Sequence, residues 1–213
     1  MKRTSVEERR AEILEATCRV VVERGFGATR IVDVAGRLGI STGLIHYHFD
    51  SKDQLFAEAL EYAANADLAR LSEEVARDTT ALDRLDRVFS LYAPADADAR
   101  AVWVLWIDGW GEAMRSPTLK RISQELDVRW KELLEGIIID GVAAGEFTCA
   151  DPNAAAWRLA ALLDGLGVQV TVHDSAIDAA QLLCWVREAA VAELHLRADA
   201  FDRLAASPAV QTI

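Results

Sequence analysis

Signals that start and stop helices recur along the whole chain, and they narrow the folds open to it. Ser5 and Glu8 form a capping box, and Gly25 ends the helical pattern that follows. With 4 Pro and 12 Gly among 213 residues, and abundant Ala, Leu, Glu and Arg, few positions break helices or favour strands. We therefore predict an all-α protein of about nine helices. The predicted helices cover residues 6–24, 30–37, 42–48, 51–75, 80–92, 97–114, 117–144, 153–172 and 177–197.

The charge is distributed unevenly along the chain. The net charge is −11, yet residues 1–48 contain eight Lys or Arg and six Asp or Glu, a local +2, so the remainder carries −13. A small basic face can meet phosphates, whereas a larger acidic body is repelled by them. The N-terminal segment is therefore the candidate for contact with nucleic acid.

Several classes of protein are disfavoured by what the sequence lacks. The first ten residues are charged and no apolar stretch approaches 18 residues, so we expect a cytoplasmic protein without membrane contact. Cys18, Cys149 and Cys184 are scattered, which indicates reduced core residues. His46 and His48 point in different directions on a helix, and His173 and His195 lack a second ligand type at a useful spacing, so we expect no metal ion. We also expect no cofactor. The sequence shows no catalytic triad pattern and no phosphate-binding glycine loop, so we do not expect an enzyme.

Residues 31–50 have the spacing of a helix-turn-helix. Ala35 is small enough for two helices to cross closely, and Gly39, four residues later, supplies the turn. Four apolar residues fall where the two helices must pack: Val34, Leu38, Ile40 and Ile45. Four residues face outward from the second helix, whose N-terminal end would enter the major groove: Thr42, Gly43, His46 and Tyr47. An ordinary helical hairpin is the alternative to a DNA-reading motif.

The sequence around this motif resembles the tetracycline-repressor (TetR) family of bacterial transcriptional regulators. The resemblance spans residues 13–60 and is carried by Thr29 and by segments 23–26, 33–35, 39–41 and 48–55. In that family a three-helix head binds operator DNA, and the fourth helix links the head to a helical body that binds a ligand and dimerises. The resemblance implies a DNA-binding domain over 1–50, a ligand-binding and dimerisation domain over 51–205, and a flexible tail over 206–213.

The resemblance also assigns the DNA contacts. Lys52 matches the family's phosphate contact at the start of the fourth helix, and His46 stands where the family usually has Tyr. The predicted DNA contacts are Arg30, Thr42, Gly43, His46, Tyr47, His48 and Lys52.

The body resembles a subgroup of the same family whose best-known members are choline-responsive repressors of betaine genes. The resemblance is carried by Trp130, by Pro152 and by segments 106–111, 116–117, 145–147 and 164–166. It implies a ligand-binding body and does not identify the inducer.

Tryptophans mark a candidate ligand site in this body. Trp103, Trp106 and Trp110 recur at three- and four-residue spacing on one helix, with carboxylates beside them. Aromatic walls and a carboxylate can hold an organic cation by cation–π attraction, worth up to about 2 kcal/mol when desolvated. A stripe of tryptophans that only packs in the core is the alternative. The predicted ligand contacts are Trp103, Trp106, Asp108, Trp110, Trp130, Trp157 and Asp164.

Segment 153–172 is apolar on most sides, so it needs cover on most sides. We expect this helix and the helix over 177–197 to pair with their symmetry mates in a homodimer, because an exposed apolar surface would otherwise result. The predicted interface residues are Ala160, Leu163, Gly167, Leu182, Val186 and Ala190.

These features together predict a transcriptional regulator of the repressor type. It would bind a palindromic operator in double-stranded DNA as a dimer and leave the DNA when an unknown small-molecule inducer occupies the body. The alternative is a helical enzyme or small-molecule carrier that contains a head-like hairpin. Binding to the DNA that flanks its own gene would separate the two.

Overall fold

The computed structural model describes residues 5–76, 80–173 and 176–206, which form ten α-helices and no strand. The prediction of an all-α protein is confirmed, with one short helix after the last predicted one. The predicted tail lies outside the described residues except for Ala206, where the tenth helix ends. The helices are α1 (Val6–Arg24), α2 (Ile31–Leu38), α3 (Thr42–His48), α4 (Lys52–Val75), α5 (Ala81–Tyr92), α6 (Ala97–Ala113), α7 (Pro117–Ala143), α8 (Pro152–Val172), α9 (Ala179–Glu193) and α10 (Ala200–Ala206).

Short-range signals set the limits of the first three helices. The Ser5 hydroxyl accepts the Glu8 N–H at 3.0 Å, and the Glu8 carboxylate accepts the Ser5 N–H at 2.7 Å, so the capping box starts α1. Gly39 ends α2 in the left-handed conformation, with φ of 65°. The Ser41 hydroxyl then accepts the Leu44 N–H at 3.2 Å and starts α3. The turn between α2 and α3 is therefore fixed at both ends.

The turn after α7 supplies a carboxylate that accepts hydrogen bonds from the start of α5. Gly145 has φ of 74°, which lets the chain reverse, and the Glu146 carboxylate accepts the N–H groups of Ala81 and Leu82, each at 3.1 Å. Phe147 packs on Gly141, where an added Cβ would lie 2.2 Å from the Phe147 ring. Segment 145–147, which carried part of the resemblance, thus has a structural role of its own.

The helices form two compact units that do not follow sequence order. In the described residues, the first unit consists of the chain up to Ala69 together with Arg100–Val128. The second consists of Arg70–Ala99 together with the chain from Arg129 onward. Helices α4, α6 and α7 each contribute residues to both units, whereas the predicted domain boundary at residue 50 stays a prediction.

The core of the first unit joins the helix-turn-helix to parts of α6 and α7. Phe26, Ile45 and Leu60 are almost completely buried, and Leu105 of α6 and Leu119 of α7 belong to the same apolar cluster. The rings of Phe26 and Phe56 meet edge to face, with 5.3 Å between their centroids. The head therefore shares its core with residues that lie far along the chain.

The core of the second unit forms around α8 and α9, which have the most extensive helix–helix contact among the described pairs. Leu85 and Phe89 of α5 and Leu134 and Ile138 of α7 pack into the same cluster. Helix α9 ends at Glu193 rather than near residue 197, and the chain takes φ of 50° two residues later.

Candidate DNA interface and ligand-binding residues

Helix α3 presents a polar face to solvent and an apolar face to the core. Ile45 is completely buried, while the Tyr47 side chain is 75% exposed. The other predicted contacts at the start and middle of the helix, Thr42, Gly43 and His46, are also exposed. The outward face predicted for this helix is present, and the DNA contact of each residue stays a prediction.

Two predicted contacts lie at the starts of the helices before and after α3 in the chain: Arg30 is the residue immediately before α2, and Lys52 is the first residue of α4. The exposed Arg30 guanidinium pairs with Asp33 at 3.2 Å, and the hydrogen bond from Arg30 holds the pKa of Asp33 below its usual value. Lys52 is half-buried at the start of α4, with its Nζ 4.9 Å from the centre of the Phe56 ring. The side chains of Arg30 and Lys52 therefore each contact another residue of this chain.

His48 ends α3 and is held by residues that the sequence analysis did not single out. Its ring meets the Tyr47 ring edge to face at 5.1 Å, and its carbonyl oxygen accepts a hydrogen bond from the Arg10 guanidinium at 2.5 Å. Arg10 also donates to Glu58 of α4. Arg10 lies 38 residues from His48 and 48 from Glu58, so no local spacing in the sequence signals either contact.

In the first unit, the predicted ligand residues of α6 form an aromatic cluster. The centroids of Trp103 and Trp110 lie 6.3 Å apart, as do those of Trp106 and Trp110. Asp108 has a different environment, because its carboxylate accepts the backbone N–H of Phe26 at 2.5 Å. The carboxylate expected to meet a ligand thus contacts the turn after α1.

In the second unit, Trp130 and Asp164 are linked by a tyrosine that the sequence analysis missed. The rings of Tyr92 and Trp130 stack at 4.4 Å with an angle of 13° between their planes, and the Tyr92 hydroxyl donates to Asp164 at 2.7 Å. The indole N–H of Trp130 is buried and has no hydrogen-bond partner in the described part of the chain. We call Tyr92, Trp130 and Asp164 the aromatic–carboxylate cluster.

Trp157 has different contacts from the residues of the aromatic–carboxylate cluster. Its side chain is 46% exposed, and the Nζ of the buried Lys131 lies 4.3 Å from the centre of its ring. A cation of the chain itself therefore lies near this ring, and the ligand contact of Trp157 stays a prediction.

The six predicted interface residues lie inside the second unit. Leu163, Leu182 and Val186 are 0% exposed within a single chain, and the others are buried with them. Their apolar character is therefore explained by packing within one chain, and the reason for the prediction, an otherwise exposed apolar surface, does not hold. The large apolar residues exposed on α8 and α9 are others: Trp157, Val172 and Trp185.

The cysteines differ in their environments. Cys18 is mostly buried, and burial raises the pKa of its thiol from 9.0 to about 12. Cys149 is half-buried, whereas Cys184 is exposed on α9, so the prediction that all three are core residues is wrong for Cys184.

Two kinds of feature are absent from residues 5–76, 80–173 and 176–206. No group of three or more His, Cys, Asp or Glu residues there is arranged to hold a metal ion. None of the helices described has both the length and the apolar character needed to cross a membrane.

A short helix that presents a polar face after a tight glycine turn, in a chain whose described residues form ten helices and no strand, is the arrangement of helix-turn-helix DNA-binding regulators. A family profile described as bacterial regulatory proteins, tetR family, matches residues 13–59, and one described as BetI-type transcriptional repressor, C-terminal, matches residues 81–195. The chain belongs to the TetR family of bacterial transcriptional regulators, and its C-terminal region is of the BetI type. The family resemblance of the sequence is thereby confirmed.

Individual relatives agree with this assignment. The chain is 30% identical over 178 residues to the HTH-type transcriptional regulator BetI of Paraburkholderia xenovorans (strain LB400). This match covers 81% of this chain and 86% of that protein. Among solved structures, a transcriptional regulator from Saccharomonospora viridis in complex with choline has 31% identity and a TM-score of 0.80, covering 87% of this chain and 96% of that one. A TetR-family regulator from Rhodococcus sp. has 26% identity and a TM-score of 0.79, covering 89% of this chain and 100% of that one.

Proposed function

We propose that this regulator represses transcription as a cytoplasmic homodimer on a palindromic operator, and that a small organic cation releases it. The observation that carries the ligand proposal is the aromatic–carboxylate cluster of Tyr92, Trp130 and Asp164. Two stacked rings lie beside a carboxylate, and both rings pack against the apolar core of the second unit. Such a set favours an organic cation over a sugar or a nucleotide.

The chemistry of the cluster also suggests a polar group on the ligand. A buried N–H without a partner costs about 1–3 kcal/mol, and a ligand oxygen that accepts from Trp130 would remove this cost. A quaternary ammonium with a hydroxyl or carbonyl oxygen has both features. The similarity to a regulator solved with choline supports this ligand class.

The DNA part of the proposal uses the outward face of α3. In a two-fold dimer, two such helices read half-sites one helical turn apart, about 34–36 Å between centres. The inducer would favour a body conformation that holds the two heads at another separation, so that affinity for the operator falls.

The dimer part of the proposal uses the exposed side of α8 and α9. Trp157, Val172 and Trp185 are 46%, 52% and 40% exposed on these two helices. A symmetric contact between copies would cover these side chains. In this proposal they take the place of the six interface residues predicted from the sequence, which are already buried within one chain.

The ligand proposal is tested by comparing choline with 3,3-dimethylbutan-1-ol, its neutral isostere. We expect choline to bind by calorimetry and to release operator DNA in a gel shift. Loss of the charge should weaken binding by about 30-fold, which corresponds to about 2 kcal/mol of cation–π attraction. Equal affinity for the two compounds would contradict a cation site.

Variants locate the site. Asp164→Asn should weaken choline binding and leave operator binding in the absence of ligand unchanged. Glu132→Gln, which removes an exposed carboxylate from α7, is the matched control and should bind choline normally. If Asp164→Asn also binds choline normally, the ligand does not use this cluster.

A further inference from the structure

Three polar side chains from α1 and α4 enclose the end of the recognition helix. Arg10 donates to the carbonyl oxygen of His48 at 2.5 Å and to one carboxylate oxygen of Glu58. The other oxygen of Glu58 accepts from the Gln54 amide at 2.9 Å, and the Gln54 carbonyl accepts the Asp50 N–H at 2.7 Å. We call Arg10, Gln54 and Glu58 the α3 clamp.

The clamp acts on the shortest helix of the head. Helix α3 has only 7 residues, too few to be stable alone, and its last carbonyl groups have no partners within the helix. Arg10 supplies a charged donor to one of these carbonyls, and its guanidinium lies 4.3 Å from the centre of the Phe49 ring that follows. A side chain of α1 therefore contacts both the end of α3 and the residue that follows it.

The clamp requires an arginine at its centre. The planar guanidinium donates in two directions at once, here to a backbone carbonyl and to a carboxylate, whereas a lysine ammonium is a point charge. The side chains of Arg10 and Glu58 are 34% and 26% exposed, so both are largely sequestered in these contacts.

We infer that Arg10 and Glu58 are positioning residues for operator recognition. They fix the direction of α3 against α1 and α4, and they do so without contacting DNA. Base edges are read by hydrogen bonds of narrow geometry, so a small rotation of α3 affects specific binding far more than binding to any duplex through phosphates. This inference rests on the proposed operator binding.

Two variants test it, each with a matched control. Arg10→Lys keeps the charge and removes the planar fork, and Arg9→Lys is its control on the same helix. Glu58→Gln removes the carboxylate, and Glu61→Gln is its control one turn further along α4. Affinity is measured for operator DNA and for an unrelated duplex of equal length, over a range of salt concentrations.

We expect Arg10→Lys and Glu58→Gln to bind the operator about tenfold more weakly and the unrelated duplex no more weakly than the wild type. Glu58→Gln is the sharper test, because loss of a negative charge should by itself strengthen binding to any DNA. The dependence of operator affinity on salt should stay unchanged in Arg10→Lys. Both controls should behave like the wild type.

A measurement without DNA distinguishes failure of this inference from failure of the proposed function. We expect amide hydrogen exchange of residues 45–50 to quicken in both variants, while the amides around Ile13 in α1 keep their protection. Failure of the wild type to distinguish operator from unrelated DNA would overturn the proposed function but not this result.

The inference is overturned by any of three outcomes. The first is unchanged operator affinity in both variants. The second is a parallel loss of affinity for both DNAs, which indicates a phosphate contact or general unfolding. The third is unchanged amide exchange at the end of α3.

Discussion

Single side chains in the first unit join segments that are far apart in the chain. Arg10 reaches across 38 residues to His48, and Asp108 reaches across 82 residues to the backbone of Phe26. Each contact satisfies a main-chain group that local structure leaves without a partner. These side chains therefore hold together segments of the chain that helix formation alone would not bring into contact.

Lys52 is the clearest case of a predicted phosphate contact. We expect Lys52→Ala to weaken binding to all DNA sequences, because a phosphate contact carries no sequence information. The slope of log affinity against log salt should become shallower by about one unit. Lys120→Ala, which removes an exposed lysine from α7, should leave the slope unchanged. A wild-type slope in Lys52→Ala would remove this residue from the interface.

Because the thiol of Cys18 is mostly buried, we expect the stability of the folded chain to fall at alkaline pH. Burial raises the pKa of its thiol to about 12 in the folded chain, against 9.0 ordinarily, so the folded state keeps a proton that the unfolded state loses. The free energy of unfolding should therefore fall as pH rises from about 9 towards 12. Cys18→Ala should show a smaller loss between pH 8 and 10, measured by urea denaturation. An identical pH dependence in the two proteins would contradict burial of this thiol.

Sequence reasoning succeeded at the residue scale where the signal was local. The capping box at Ser5, the turn at Gly39 and the exposed face of α3 all follow from spacings of three or four residues. Tyr92, Arg10 and Glu58 were missed because their partners are remote in sequence, and helical periodicity reports only near neighbours. For the same reason, the contact of Asp108 with the turn after α1 was missed, and its contact with a ligand stays a prediction.

At the scale of elements, α6 is distinguished by how closely it approaches the head. Asp108 contacts the Phe26 N–H, and a Cβ added to Gly109 would lie 3.5 Å from both Leu60 and Phe26. Gly25, which has φ of 81°, lies against the Asp108 carboxylate. Helix α6 thus packs directly on the turn that precedes the helix-turn-helix.

Asp108→Ala distinguishes this structural role from a role in ligand binding. It leaves a part-buried N–H without its partner, and we expect the free energy of unfolding to fall by about 1–3 kcal/mol. Binding of choline should be retained. Glu112→Ala, on the next turn of α6, is the control and should be close to neutral. Loss of choline binding with unchanged stability would instead return Asp108 to the ligand site.

The periodicity of α8 and α9 predicted which residues are apolar but not what covers them. An apolar stripe has the same spacing whether it packs on its own chain or on a second copy. Here the chain itself covers Leu163, Leu182 and Val186. Only the tertiary structure separates such residues from the exposed Trp185 and Val172.

At the scale of the whole molecule, the large exposed apolar side chains of α8 and α9 predict that two copies of the chain associate. We expect Trp185→Arg to give a folded monomer, because it places a charge on the exposed side of α9. Gly167→Arg should instead lower the yield of folded protein, since Gly167 is buried within one chain. Light scattering and circular dichroism separate the two results. A Trp185→Arg variant that remains a dimer would place the interface elsewhere.

The first unit is assembled from two stretches of chain, which has a consequence for synthesis on the ribosome. Residues of α1 to α4 emerge first, but the apolar cluster they share with Leu105 and Leu119 needs residues up to Val128. At about 5–20 residues per second, this leaves a gap of about 3–12 s after residue 69. We expect the nascent head to lack part of its core during that time, so DNA binding should begin only after residue 128 has been translated.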